Sequence, residues 1–141
     1  MERASRLSAR LDDSVARRLE HRSARTDTKK SRLAERYIDE GLRMDEHPGV
    51  VFRDGPAGRR AGLAAGPDVW EVMSVIRAGK KKGDTAVSNA AQVLDLTEDQ
   101  IRIAVRYYTQ FQDEIDARIR RNEEEAEAAE AAWRREQAAL A

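Results

Sequence analysis

All three prolines and five of the eight glycines of this 141-residue chain fall between His47 and Pro67. Proline lacks the amide hydrogen that a helix interior needs, and glycine loses the most conformational freedom on ordering, so no long helix crosses that stretch. The chain must therefore fold as separate pieces on either side of it. Inside the block, Val50–Phe52 and Arg59–Leu63 read as short strands between turns. Aromatic residues make up 5% of the chain and charged residues 37%, so a large monomeric core is not expected and association between chains is. With no cysteine there is no disulfide, no thiolate metal site and no cysteine nucleophile, and a reducing, cytoplasmic compartment is expected. No run approaches the ~20 apolar residues of a membrane span, and none follows the basic N-terminus as a secretory leader would.

The formal net charge of +0 conceals a gradient. Residues 1–43 carry 12 Lys/Arg against 8 Asp/Glu, residues 44–122 carry 12 of each, and residues 123–141 carry 2 against 6. A basic head suits a polyanionic partner, and an acidic tail suits something else.

The head begins with a short alternation. Arg6, Ser8 and Arg10 are polar, while Leu7, Ala9 and Leu11 between them are apolar. On a strand the two sets point to opposite faces. Asp12, Asp13 and Ser14 then suit the cap and first turn of a helix carrying Val15 and Leu19. A polar break at Thr26-Asp27-Thr28 precedes a second helix from Lys29 to Leu42, with Leu33, Tyr37, Ile38 and Leu42 on one face. A competing reading exists. Leu7, Leu11, Val15 and Leu19 also recur every four residues, which fits one helix from Arg3 to Arg22. Asp12-Asp13-Ser14 opposes it, because their side chains compete with the helical backbone.

The run from Arg6 to Val15, followed by Arg25-Thr-Asp-Thr-Lys-Lys-Ser-Arg-Leu and on to Leu42, resembles a ribbon-helix-helix DNA-binding domain of the CopG/Arc/MetJ class. The resemblance covers the unit without an insertion. It departs at Asp27, where glycine is frequent, and at the cap of the second helix, which is Thr28 or Lys29 rather than serine. It implies a homodimer in which each chain lends one strand to an antiparallel ribbon seated in the major groove of a palindromic operator. Arg6, Ser8 and Arg10 would then contact base edges, and Thr28, Lys29 and Lys30, with the amides of the second helix, would hold phosphate.

Beyond the block, Val69, Val72, Met73 and Ile76 mark one amphipathic helix, ended by Gly79 and the turn Lys80-Lys81-Lys82-Gly83. Asp84 or Thr85 is the expected cap of the next, through Val87 and Leu94. Thr97 with Gln100 forms a capping box for a third, expected to bury Ile101, Ala104, Val105, Tyr108, Phe111 and Ile115. The last two have the proportions of a helix-turn-helix. The segment from His47-Pro-Gly through Arg59-Arg60 to these helices is similar to a small domain of bacterial antitoxins paired with PIN-like ribonuclease toxins. Gly58-Arg59-Arg60 stands where that family has Gly-Thr-Arg. Gln100, Arg102, Arg106 and Thr109 are the exposed candidates for a second DNA surface, with packing between subunits as the other use of the pair.

Residues 122–141 are rich in Ala and Glu, so the third helix can continue through them, with Glu130 and Arg134 as an i,i+4 pair. They read either as a solvated tail or as a segment that orders on a toxin, with Trp133 as anchor and Arg134 and Arg135 approaching an acidic nuclease site. Catalysis has little support: no histidine is paired with a plausible nucleophile, no carboxylate cluster sits on an apolar background, and the stretch Gly55–Gly62 lacks the Gly-Lys-Ser/Thr ending of a phosphate loop. His21 and His47 have no metal-ligand partner at useful spacing, and no metal or cofactor is expected.

The fold expected is mainly α. A ribbon-helix-helix unit (1–45) leads to a strand pair with a helix-turn-helix-like domain (46–121) and an acidic helix or tail (122–141). The function expected is that of a cytoplasmic, nucleoid-associated bacterial repressor that binds double-stranded DNA as a homodimer or higher oligomer, with no membrane partner. It would be the antitoxin of a toxin–antitoxin pair. The alternatives are a stand-alone regulator, or an interaction module whose head only dimerises.

Overall fold

The computed structural model describes residues 3–141 and is mainly helical, with one two-stranded antiparallel sheet. The chain divides into two compact units, residues 1–42 and 43–141, so the acidic segment 122–141 falls in the second unit.

In the first unit, residues 3–12 have no regular secondary structure, so the strand expected over Arg6–Leu11 is not formed in the single chain. The physical reason is that a strand's amides and carbonyls need a second strand, and the described residues of this unit contain none. The continuous helix from Arg3 is not formed either. Helix α1 (Asp13–Thr26) starts where Asp12 caps it, its carboxylate accepting from the Ser14 amide at 3.2 Å and the Ser14 hydroxyl at 2.5 Å. Those bonds hold the Asp12 carboxyl below its ordinary pKa. α1 ends at Asp27, which takes the left-handed conformation at φ 50. Aspartate tolerates that conformation better than most residues with a Cβ, which explains how it stands in a glycine position.

Helix α2 (Lys30–Glu46) opens with the Lys29 carbonyl accepting from the Leu33 amide at 2.9 Å. It runs four residues past the expected end at Leu42 and stops where His47 precedes Pro48, since the residue before proline is pushed out of helical geometry. Its last turn belongs to the second unit.

The glycine–proline block forms a hairpin of β1 (Val50–Arg53) and β2 (Arg60–Leu63), in register from Val50↔Leu63 to Arg53↔Arg60. Gly55 and Gly58 close its turn around Pro56-Ala57, each amide donating to the other's carbonyl at 3.1 and 2.9 Å. At the far side, Asp68 is nearly buried and collects Arg60 Nε, Arg53 Nη1 at 3.6 Å and Trp70 Nε1 at 3.2 Å. A Cβ on Gly62 would lie 2.4 Å from the Arg53 guanidinium, so the glycine is what lets that clamp close. Arg60, the arginine of the Gly-Arg-Arg run, is thereby a hairpin-to-helix tie.

Helices α3 (Val69–Gly79), α4 (Gly83–Leu94) and α5 (Glu98–Gln110) pack on one another, with the hairpin against α3 and α5. The Thr97–Gln100 capping box of α5 is present. The expected Asp84 or Thr85 cap of α4 is not: the helix begins earlier, at Gly83, preceded by Lys82 in extended conformation. Gly83 takes φ 58, a value that glycine reaches without strain, and so turns the chain ahead of the acidic and hydroxyl residues.

The third helix of this unit does not run on into the tail. It breaks at Phe111 (φ −125, ψ 43), and a new helix α6 (Gln112–Leu140) follows. Two triads span the break. Arg43 Nη1 donates to the Tyr107 hydroxyl at 2.7 Å and contacts Glu114 at 2.9 Å, and the Tyr107 hydroxyl donates to Glu114 at 3.0 Å. Arg77 Nη2 donates to the Tyr108 hydroxyl at 2.9 Å and pairs with Asp116, which also accepts from Tyr108 at 2.8 Å. Residues seven apart on an unbroken helix lie about 10.5 Å apart along its axis, and the bend brings the acids back to the phenols. It also exchanges the expected core residues. Tyr107 is 0% exposed, while Val105, Tyr108 and Phe111 are partly covered, and Ile115 is buried from α6 instead.

Burial raises the Tyr107 pKa, with Glu114 adding to it and Arg43 offsetting part. Hydrogen bonds to Tyr108 and Arg77 hold Asp116 below the ordinary 3.8. A depressed carboxylate contributes stability above its unfolded pKa and loses it as pH falls through the folded value. Wild type is therefore expected to exceed Asp116→Asn in urea midpoint at neutral pH, with the gap closing below pH 3.8. A gap independent of pH would remove the ion pair from this account.

Candidate nucleic-acid interface

The first unit has little interior. No residue of α1 is buried, and of α2 only Leu33 and Glu40 are. Leu7 is 73% and Ile38 49% exposed, and Leu11, Val15, Tyr37 and Leu42 are exposed as well. Leu11, Val15, Leu19, Ala34, Tyr37 and Ile38, with the stems of Arg18 and Arg22, line an apolar groove of about 480 Å³. The apolar residues of the Arg6–Leu11 alternation thus include one, Leu11, that reaches the same groove as both helices. Arg6, Ser8 and Arg10, the expected base readers, are exposed.

At the start of α2 the three expected phosphate contacts separate. Thr28 is engaged in the turn: its hydroxyl donates to the Thr26 carbonyl at 3.1 Å, its amide donates to Ser23 O at 3.2 Å, and its carbonyl accepts from the Ser23 hydroxyl at 2.5 Å. Lys29 is exposed. Lys30 pairs with Glu20 at 3.2 Å, both more than half exposed, an ion pair of the kind that contributes about 0–1 kcal/mol. Phosphate can replace such a partner. The first turn of α2 carries no acidic residue, which leaves its positive end open to an anion.

The residues proposed for a second surface are more committed. The Gln100 carboxamide oxygen accepts from the Thr97 amide at 2.9 Å. Arg102 holds Asp84 at 2.8 Å and has Glu98 and Asp99 close enough to raise its pKa, after the hydrogen bond to Asp84 as the main cause. Arg106 is exposed, in a shallow cavity shared with Asp99, Glu46 and His47, and the Thr109 hydroxyl donates to the Arg106 carbonyl at 2.7 Å. Cations interleaved with carboxylates draw phosphate weakly.

Beyond Ile119 no residue of α6 is buried. Trp133 is 58% exposed, Arg135 is exposed, and Arg134 pairs with Glu130 at 2.6 Å, the spacing the sequence offered. His47 is a packing residue, its ring edge-on to Tyr107 at 5.3 Å and its Nε2 2.7 Å from the Gln110 carboxamide oxygen. Among the described residues no group of three or more His, Cys, Asp or Glu could hold a metal ion, and no helix is long and apolar enough to cross a membrane.

Sequence reasoning missed a set of four arginines and a histidine on α1. Arg17, Arg18, His21, Arg22 and Arg25, with Ser14, surround one open groove. The signal was available in the spacing 17, 21, 25 and 18, 22, 25, which puts them on one side of a helix. Compared with family models, with curated proteins and with solved structures, the chain finds no match in any of the three.

Proposed function

We propose that this chain is a homodimeric, sequence-specific DNA-binding repressor of the ribbon-helix-helix class, and the antitoxin of a toxin–antitoxin pair. The observation that carries the reading is the unfinished first unit. Leu33 is the one buried apolar side chain among its described residues, while six large apolar ones stay exposed, four of which (Leu11, Val15, Tyr37 and Ile38) line one groove. A second copy would cover that groove and pair its Arg6–Leu11 segment with this one, satisfying both strand edges. The polar side of such a ribbon would present Arg6, Ser8 and Arg10 twice about a two-fold axis, which suits a palindromic site. Lys29, Lys30 and the open end of α2 would hold phosphate. Thr28 drops to a role in shaping the turn, because its hydroxyl and amide are spent there.

The antitoxin half of the reading is favoured by α6, whose last 21 residues bury nothing and carry an exposed tryptophan. A protein partner that covers Trp133 would give that helix a reason to persist. Gln100 and Arg102 are less suited to a second DNA surface, since the Thr97 amide and the Asp84 carboxylate engage them within the second unit.

The test is selection of a bound duplex from a random pool, followed by affinity ratios for selected against scrambled sites. Arg10→Ala should cost about 1–3 kcal/mol of discrimination, whereas Lys30→Ala should weaken all sequences alike and lower the salt slope by about 1. Deletion of residues 123–141 should leave the ratio intact while releasing the toxin. Unchanged discrimination in Arg10→Ala would sink the groove assignment.

A further inference from the structure

Of the basic stripe on α1, only the stems of Arg18 and Arg22, at the edge of the apolar groove, have a task in the proposed function. Ser14, Arg17, Arg18, His21, Arg22 and Arg25 line one open groove of about 580 Å³. With 3.6 residues per turn these six positions fall in an arc roughly 140° wide. The two acids of α1 lie outside that arc. Asp13 is in the first turn, and Glu20 is drawn to Lys30 at 3.2 Å. From Arg17 to Arg25 the stripe extends about 12 Å, a length over which duplex DNA presents about 7 phosphate charges. Four of the six residues are arginines, whose planar forks match phosphate oxygens in pairs.

Two kinds of anionic partner could be considered, a duplex backbone or an acidic protein face. The groove contains no apolar side chain. Protein interfaces have an apolar, well-packed centre, whereas protein–DNA interfaces are polar and strongly positive. A stripe lined by no apolar residue and made mostly of arginine fits the second.

We infer that the outer face of α1 is a second phosphate track, which binds the backbone of double-stranded DNA without regard to sequence and extends contact beyond the base-reading segment. The inference rests on the DNA-binding reading of the first unit. It assigns Arg17, Arg18, His21, Arg22 and Arg25 to backbone contact, separate from the bases read by Arg6, Ser8 and Arg10.

The test uses the full chain and a random-sequence duplex of roughly 40 base pairs, long enough to outrun a single major-groove contact, titrated over a range of KCl concentrations. In Arg17→Gln/Arg25→Gln the log–log salt slope should flatten by about 1.8 per chain, from about 0.9 for each phosphate released, and affinity at low salt should fall more than tenfold. Arg17→Lys/Arg25→Lys, which keeps the charge, should restore most of the slope and shows that α1 still folds. Lys81→Gln/Lys82→Gln removes the same charge from the exposed turn before α4 and should leave the slope as it is. Polyglutamate at matched charge should fail to displace the duplex.

An unchanged slope in the double arginine variant, an equal loss in the double lysine variant, or displacement by polyglutamate would each overturn the inference. If the slope is unchanged while Arg10→Ala still relaxes base preference, the phosphate track alone fails. If wild type binds no duplex at all, the DNA-binding reading fails and takes this one with it.

Discussion

Ile38→Asp is expected to dissociate the protein into monomers and abolish duplex binding. Ile38 lies on the apolar groove of the first unit with Leu11, Val15, Leu19 and Tyr37, and is 49% exposed in the single chain. Covering such a side chain on association contributes about 1–2 kcal/mol per copy, and burying an unpaired carboxylate in its place costs several kcal/mol more. Because a two-fold interface contains the residue twice, the loss is on the order of 8 kcal/mol per dimer, or roughly 10⁵-fold or more in dissociation constant. Sedimentation equilibrium over a dilution series would show it. The first unit should lose helical signal at the same time, since Leu33 is its one buried apolar side chain among the described residues. Val93→Asp is the control: Val93 is 63% exposed on α4 and should leave the oligomeric state alone. Equal behaviour of the two variants would mean the groove is not an interface.

Tyr107→Ala should unfold the second unit more readily than any other single truncation in it. Tyr107 is fully buried, the largest such side chain among the described residues, and its ring meets Phe111 at 4.6 Å, His47 at 5.3 Å and Phe52 at 6.4 Å. Removing a buried aromatic ring costs about 3–5 kcal/mol, which lowers the melting temperature of a unit this size by more than about 12 °C. Tyr107→Phe separates packing from bonding. It keeps the ring and loses the hydroxyl between Arg43 and Glu114, which still meet at 2.9 Å, so about 1 kcal/mol is expected. Thermal unfolding followed by circular dichroism distinguishes the two. A Phe variant as unstable as the Ala variant would place the stability in the triad rather than in the ring.

Where local rules suffice, the elements could be read from the chain. Asp12 stops α1, the Thr97–Gln100 box starts α5, and Gly55 and Gly58 turn the hairpin, because each signal acts over three or four residues. Long-range partners had no such signal. The break at Phe111 goes with Arg43 and Arg77 reaching the Tyr107 and Tyr108 hydroxyls from 64 and 31 residues away, and helical periodicity contains no trace of either. The same holds for Thr28, which reads as a phosphate contact until the Thr26 and Ser23 backbone claims it.

By itself the sequence determined the short strands of the glycine–proline block, the starts of α1 and α5, the opposite charge of head and tail, and the apolar face of the first unit, since these follow from residue type and short spacing. Tertiary structure alone decided that Asp68 ties the hairpin to α3, that Tyr107 and not Tyr108 fills the core, and that Arg102 is held by a carboxylate. Those outcomes depend on which side chains meet across tens of residues, and one chain's periodicity carries no information about its distant neighbours.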